Sequence, residues 1–138
     1  MKRIVPLFAL SLAAIGVASA QTIVRAPAAH TSAVNAAEMY KAYCAVCHGI
    51  TGNGDGPAAA AMKTPPTNLT QLAARNKGKF PSSAVTNSII GDITMPEAHG
   101  TQEMPVWGEV FRTVSHGNSE VQQRIANLVQ YVREMQSK

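Results

Sequence analysis

Two thiols and one imidazole fall within five residues of this chain, in the run Cys44-Ala45-Val46-Cys47-His48. On a helix, positions i and i+3 share one face about a turn apart, and i+4 lies beside them. Both thiols can then reach two vinyl groups along one porphyrin edge, while the imidazole approaches the iron from the same side. A longer gap would separate the sulfurs in angle, and a displaced histidine would leave the iron axis. The run is a C-x-x-C-H pattern, the attachment signature of covalently bound haem.

Three other chemistries use paired cysteines, and each fits less well. A redox-active C-x-x-C of the thioredoxin kind follows a strand in a βαβ unit, and no strand pattern precedes Cys44. A structural zinc site needs further Cys or His ligands grouped elsewhere, whereas His30, His99 and His116 are solitary and scattered. A disulfide leaves His48 without a role. Asp55 is a single carboxylate among glycines, too few oxygen ligands for calcium.

Iron held by His48 alone would keep a position open to oxygen, peroxide or other small molecules, and a second protein ligand would close it. Met104 and Met95 are the candidates, and each is followed by proline. Met104 lies in Glu103-Met104-Pro105-Val106-Trp107-Gly108, just before an amphipathic stretch, where proline suits a first helical position. Trp107 can pack on a porphyrin and offer its Nε1–H to a propionate; Arg75 is a second candidate for that contact. Met95-Pro96 leads into Glu-Ala-His-Gly, with no aromatic and no helix onset, so Met104 is favoured and Met95 kept as the alternative. His99 and His116 each sit beside a glycine, where a solvated side chain is the simpler reading.

With these residues in view, the sequence resembles the class I c-type cytochromes, small bacterial proteins with a single haem. The motif stands early in the chain, and the glycine-rich run from His48 to Pro57 is similar to the loop that follows it in that family. Pro65-Pro66-Thr67-Asn68-Leu69 and Met104-Pro105-Val106-Trp107 also match, the likeness running from about Asn35 to Glu134. The resemblance implies an all-α cytochrome c-like fold, four to five short helices wrapped around one covalent haem c. It implies His48 and Met104 as axial iron ligands. It also implies a proline carbonyl accepting the His48 Nδ1 proton, with Pro66 the choice and Pro57 the alternative.

The elements that must position these groups can be read in order. Asn35 with Glu38 three residues on reads as a variant of a capping box, opening a helix that carries Met39, Tyr40, Tyr43 and Cys44 and stops at Gly49. Residues 49–66 hold four glycines and three prolines, which excludes regular structure. Asn68 caps a short helix through Arg75, Ser82 or Ser83 starts another that ends at Gly91, and Val106 to Ser115 forms a third. Val121, Ile125, Leu128, Val129 and Val132 recur at i, i+4, i+7, i+8 and i+11, the clearest amphipathic helix. With only three Phe, three Tyr and one Trp in 138 residues, protein packing is thin, and a haem would serve as the centre of the core.

The first twenty residues have the parts of a secretory signal: Lys2 and Arg3, an apolar run from Ile4 to Val17, and Ala18-Ser19-Ala20 before Gln21. The run is shorter than the ~20 residues of a membrane span. The expected organisation is a signal peptide at 1–20, a flexible lead-in at 21–34 and the cytochrome domain at 35–138. Removing Lys2 and Arg3 lowers the formal charge of +4 by two, and no basic–aromatic cluster argues for nucleic acid. The expected function is a periplasmic single-haem electron carrier, not an enzyme, monomeric and without a membrane span, docking redox partner proteins at its haem edge. The alternatives are a haem subunit of a periplasmic dehydrogenase or oxidase complex, or a peroxidase-like or small-ligand-binding protein if the methionine ligand is absent.

Overall fold

The computed structural model describes residues 28–91 and 104–137, and every regular element within them is helical. The signal segment, Met95 and His99 lie outside the described residues. The first helical run is built in three parts: α1 (Ala36–Met39), a π-helical turn (Tyr40–Cys44) and α2 (Ala45–His48). After a 3-10 turn at Ala59–Ala61, a second at Leu69–Gln71 leads into α3 (Leu72–Arg75). Then come α4 (Ser82–Ile90), α5 (Trp107–Val114) and α6 (Asn118–Glu134).

Local chemistry sets most of these limits. Asn35 Oδ1 accepts the Glu38 N–H at 3.0 Å, as an N-cap should. Glu38 reaches back past the cap to the Ser32 N–H at 3.4 Å, so the box closes one turn further out than the usual reciprocal pair. Asn68 caps the next run through the Thr70 N–H at 2.9 Å. Gly49 and Gly91 end α2 and α4 with positive φ.

The long α6 is the spine. Its stripe of Val121, Ile125, Leu128, Val129 and Val132 is buried throughout, and it packs on α1, α4 and α5. Leu128 of this stripe and Met39, Tyr40 and Phe111 from the other helices are the largest fully enclosed side chains, and burying side chains of this size stabilises the fold by about 1.5–3 kcal/mol each. The C-terminal tail then braces α3: Gln136 accepts the Ala73 N–H and donates to the Leu69 carbonyl, both at 2.8 Å.

Three local expectations change. The lead-in is not loose from Ala28 onward. Arg124, 2% exposed, donates to the Thr31 carbonyl at 2.8 Å and the Thr31 hydroxyl at 3.0 Å, and Asn127 donates to the Ala33 carbonyl at 2.8 Å. A buried guanidinium must be satisfied; Thr31, with Glu120 and Ser115, satisfies it and thereby fastens the segment. Second, the motif helix is not a plain α-helix: the Ala45 N–H reaches back five residues to the Tyr40 carbonyl. The widened turn lets Tyr40 face Tyr131 while Tyr43 faces Trp107 and Phe111, with ring centroids 5.2, 5.3 and 5.4 Å apart. Third, α5 starts at Trp107 with Val106 as its N-cap, so Pro105 lies ahead of the helix and directs entry into it.

Candidate haem site

The C-terminal turn of α2 presents the motif, and its carbonyls are satisfied by the loop that follows. Gly54 N–H donates to His48 O at 2.8 Å, Gly56 N–H to Cys47 O at 3.0 Å, and Ala58 N–H to Val46 O at 2.9 Å. The chain thus doubles back against its own helix end, which only small residues allow. A Cβ on Gly56 would lie 2.5 Å from the Val46 carbonyl oxygen. One on Gly54, where φ is +84°, would lie 2.3 Å from the carbonyl oxygen of Pro66. That second approach brings the 65–67 segment beside His48.

The His48 Nδ1–H donates to the carbonyl of Thr67 at 2.9 Å. The acceptor expected at Pro66 is therefore one residue further on, because the Pro66 carbonyl is turned against Gly54; Pro66 itself lines the cleft, and Pro57 is exposed. Burial lowers the His48 pKa below its ordinary value, opposed by the bond to Thr67. The ring is neutral at pH 7, with its proton on Nδ1, and Nε2 keeps its lone pair for a metal. An Nδ1 bond of this kind fixes the ring plane and raises ligand basicity.

Cys44 and Cys47 are not joined to each other in a disulfide. Burial, then the neighbouring Cys47, pushes the Cys44 thiol up to about 12, which marks an apolar setting for its sulfur. Two adjoining cavities of about 140 and 370 Å³ open beside the motif, and both are lined by Cys44, His48, Thr67 and Met104. The inner one is walled by Leu72, Val85, Ile89 and Leu128; the outer one by Met62, Pro66 and Trp107. Together they reach the roughly 300–1,000 Å³ of small-molecule and cofactor pockets.

The residues fit a covalent haem. A thiol pair, a neutral imidazole and a thioether line one seam through an otherwise apolar cleft, the donor set for haem iron with His/Met ligation. Of the groups singled out in the sequence, the structure brings together Cys44, Cys47, His48, Met104, Pro66 and Trp107. Trp107 stacks on Phe111 with ring centroids 5.9 Å apart and also lines the outer cavity. His116 is exposed, outside the cleft, with its backbone N–H on Glu120. Arg75 is exposed and turns its guanidinium onto the carbonyls of Asn68 and Gln71. Thr67 was missed; the spacing of Gly52, Gly54 and Gly56 was the available signal that a backbone segment passes close to the motif.

An all-helical scaffold that turns a C-x-x-C-H segment into an apolar cleft defines a c-type haem protein. The cytochrome c family model matches residues 33–136, and the chain belongs to that family. No curated protein and no solved structure matches it. The cofactor is one covalent haem c, which supplies one-electron exchange between ferrous and ferric iron, and the function is haem-based electron transfer. The chain's own part is to hold the thiols and His48 on one wall, Met104 on the shared seam, and water out of the apolar cleft.

Proposed function

We propose that this protein is a periplasmic single-haem electron carrier, with His48 and Met104 as the two axial ligands of the iron. The observation that carries this reading is that Met104 lines both cavities together with His48 and Cys44. A thioether on that seam closes the iron to exogenous ligands and favours outer-sphere electron exchange over turnover of a substrate. Export supports the periplasmic setting through the sequence of residues 1–20, and among the described residues no helix is long and apolar enough to cross a membrane. Redox partner proteins would meet the outer cavity's rim, where Val46 is about half exposed, through a small transient contact. Trp107 is the propionate donor in this reading.

The test is the visible spectrum of the ferric protein. A sulfur-to-iron charge-transfer band should be present and should vanish in Met104→Ala. Loss of the band in Met95→Ala instead would move the ligand to Met95. Ready binding of carbon monoxide by the wild-type ferrous protein, with no band in either case, would overturn the carrier reading in favour of a ligand-binding haem protein.

A further inference from the structure

Tyr40 holds both ends of the attachment segment. Its backbone carbonyl accepts the Ala45 N–H across the π-helical turn, and its hydroxyl donates to the Gly49 carbonyl at 2.8 Å. Ala45 and Gly49 are the first and last residues of the stretch that contains Cys47 and His48. The loop supplies further anchors of that stretch: Gly54 N–H on His48 O, Gly56 N–H on Cys47 O, Ala58 N–H on Val46 O and Gly52 N–H on Gly49 O. Tyr40 is the side chain that ties the stretch back to the body of its own helix.

The surroundings make this tie stiff. Tyr40 is 1% exposed, packs on Tyr131, and lines the inner cavity beside Cys44 and His48. Gly49 is buried as well, so its carbonyl depends on internal donors. Burial, and after it the neighbouring Cys44, Tyr131 and Asp55, pushes the phenol pKa far up. The hydroxyl is therefore a permanent donor. A phenylalanine here would fill the same core space, so packing alone does not call for the hydroxyl.

We propose that Tyr40 is a positioning residue for the haem: its hydroxyl, acting through Gly49, fixes the backbone of His48 and so the angle at which the imidazole meets the iron. The inference rests on His48 as axial ligand. Thr67 restrains the far side of the ring at Nδ1, and Tyr40 restrains the Cα from which the ring hangs. With the Tyr40 bond removed, the ring keeps Thr67 as its partner but changes its tilt.

The experiment compares Tyr40→Phe with Asn127→Ala in the haem-loaded protein. Asn127 is the control: it is half-buried on α6, and its side chain donates to the Ala33 carbonyl at 2.8 Å, away from the motif and the cleft. Three quantities are read: the thermal midpoint, the reduction potential and the paramagnetically shifted NMR signals of the His48 ring. Both variants should lose stability, but only Tyr40→Phe should displace the His48 signals and move the potential. Unchanged signals and potential in Tyr40→Phe, whatever its stability, would overturn the proposal, as would equal displacement in the two variants. Absence of any shifted His48 signal in the wild type would remove the ligand itself, and both readings with it.

Discussion

Gly54 and Gly78 form a natural pair for measuring what the close approach behind His48 contributes. Both have nearly the same positive φ, +84° and +81°. A Cβ on Gly78 would meet nothing within 4 Å, whereas one on Gly54 would lie 2.3 Å from the Pro66 carbonyl oxygen and 3.3 Å from its carbon. Alanine at either site incurs the left-handed penalty of about 1–2 kcal/mol, partly offset by about 0.4–1 kcal/mol from a stiffer unfolded chain. Gly78→Ala should therefore cost about 1 kcal/mol. Gly54→Ala adds an overpacking cost of about 1–3 kcal/mol, because the obstacle is backbone and cannot swing aside. The expected difference between the two is about 2 kcal/mol, read from urea denaturation of the haem-loaded proteins at equal slope. A second consequence is specific to Gly54. Pushing the Pro66 carbonyl away displaces Thr67, so the His48 ring signals should shift in Gly54→Ala and stay in place in Gly78→Ala. Equal destabilisation of the two variants would refute the argument that Gly54 is there for proximity rather than for its φ.

Other consequences can be measured with simpler variants. Leu128→Ala removes a side chain that is 1% exposed and faces the inner cavity; it should cost about 2–5 kcal/mol in chemical denaturation. Asn35→Ala deletes the acceptor for the Glu38 N–H and should cost about 1 kcal/mol in the same assay. The His116 N–H, and after it Arg124, holds the Glu120 carboxyl below its ordinary pKa. An unfolded chain then takes up the proton more readily, so this stabilisation is present above the ordinary glutamate value and lost as pH falls through the depressed one. The thermal midpoint should drop between about pH 5 and pH 3, and more steeply in the wild type than in Glu120→Gln. Finally, Cys44→Ala/Cys47→Ala, made without haem, should give a far-ultraviolet spectrum of a largely unfolded chain. Without the cofactor the apolar lining at Leu72, Val85, Ile89 and Leu128 loses the group it packs against, and hydrophobic burial is the dominant favourable term in a net stability of only about 5–15 kcal/mol.

What the sequence made legible was chemistry written within a few residues. The motif, the caps at Asn35 and Asn68, the stops at Gly49 and Gly91, and the α6 stripe depend on neighbours at most a turn or two away, and they stand where the pattern put them. What escaped was set by contacts across the fold. Nothing in Tyr-Lys-Ala-Tyr-Cys announces a π-helical turn, since no glycine or proline interrupts it; the turn is settled by where Tyr131, Trp107 and Phe111 lie. Residues 28–34 lack any period of their own and are ordered by Arg124, about ninety residues on. The misplacement of the histidine's partner by one residue, from Pro66 to Thr67, has the same origin. A carbonyl's direction follows from the segment's approach to Gly54, not from the identity of the residue that bears it.

That division also runs through the site itself. The His48 wall is assembled from residues 40–67, through bonds from Tyr40, Gly54, Gly56 and Ala58 and the acceptor on Thr67. The Met104 wall is delivered by α5, whose entry is held by Trp107 and Phe111 against Tyr43 and by the close passage of Gly108 under the Ile90 carbonyl. The two walls meet at Tyr43, which belongs to the motif helix and packs on α5. A disturbance of α5 can therefore move Met104 while leaving the His48 geometry intact, because none of the bonds that fix the His48 wall passes through α5. The reverse does not hold: loosening the motif helix moves Tyr43 and with it the support of Trp107. If His48 and Met104 are the two ligands, as proposed above, carrier behaviour is accordingly more sensitive to the near side than the count of ligands on each side would suggest.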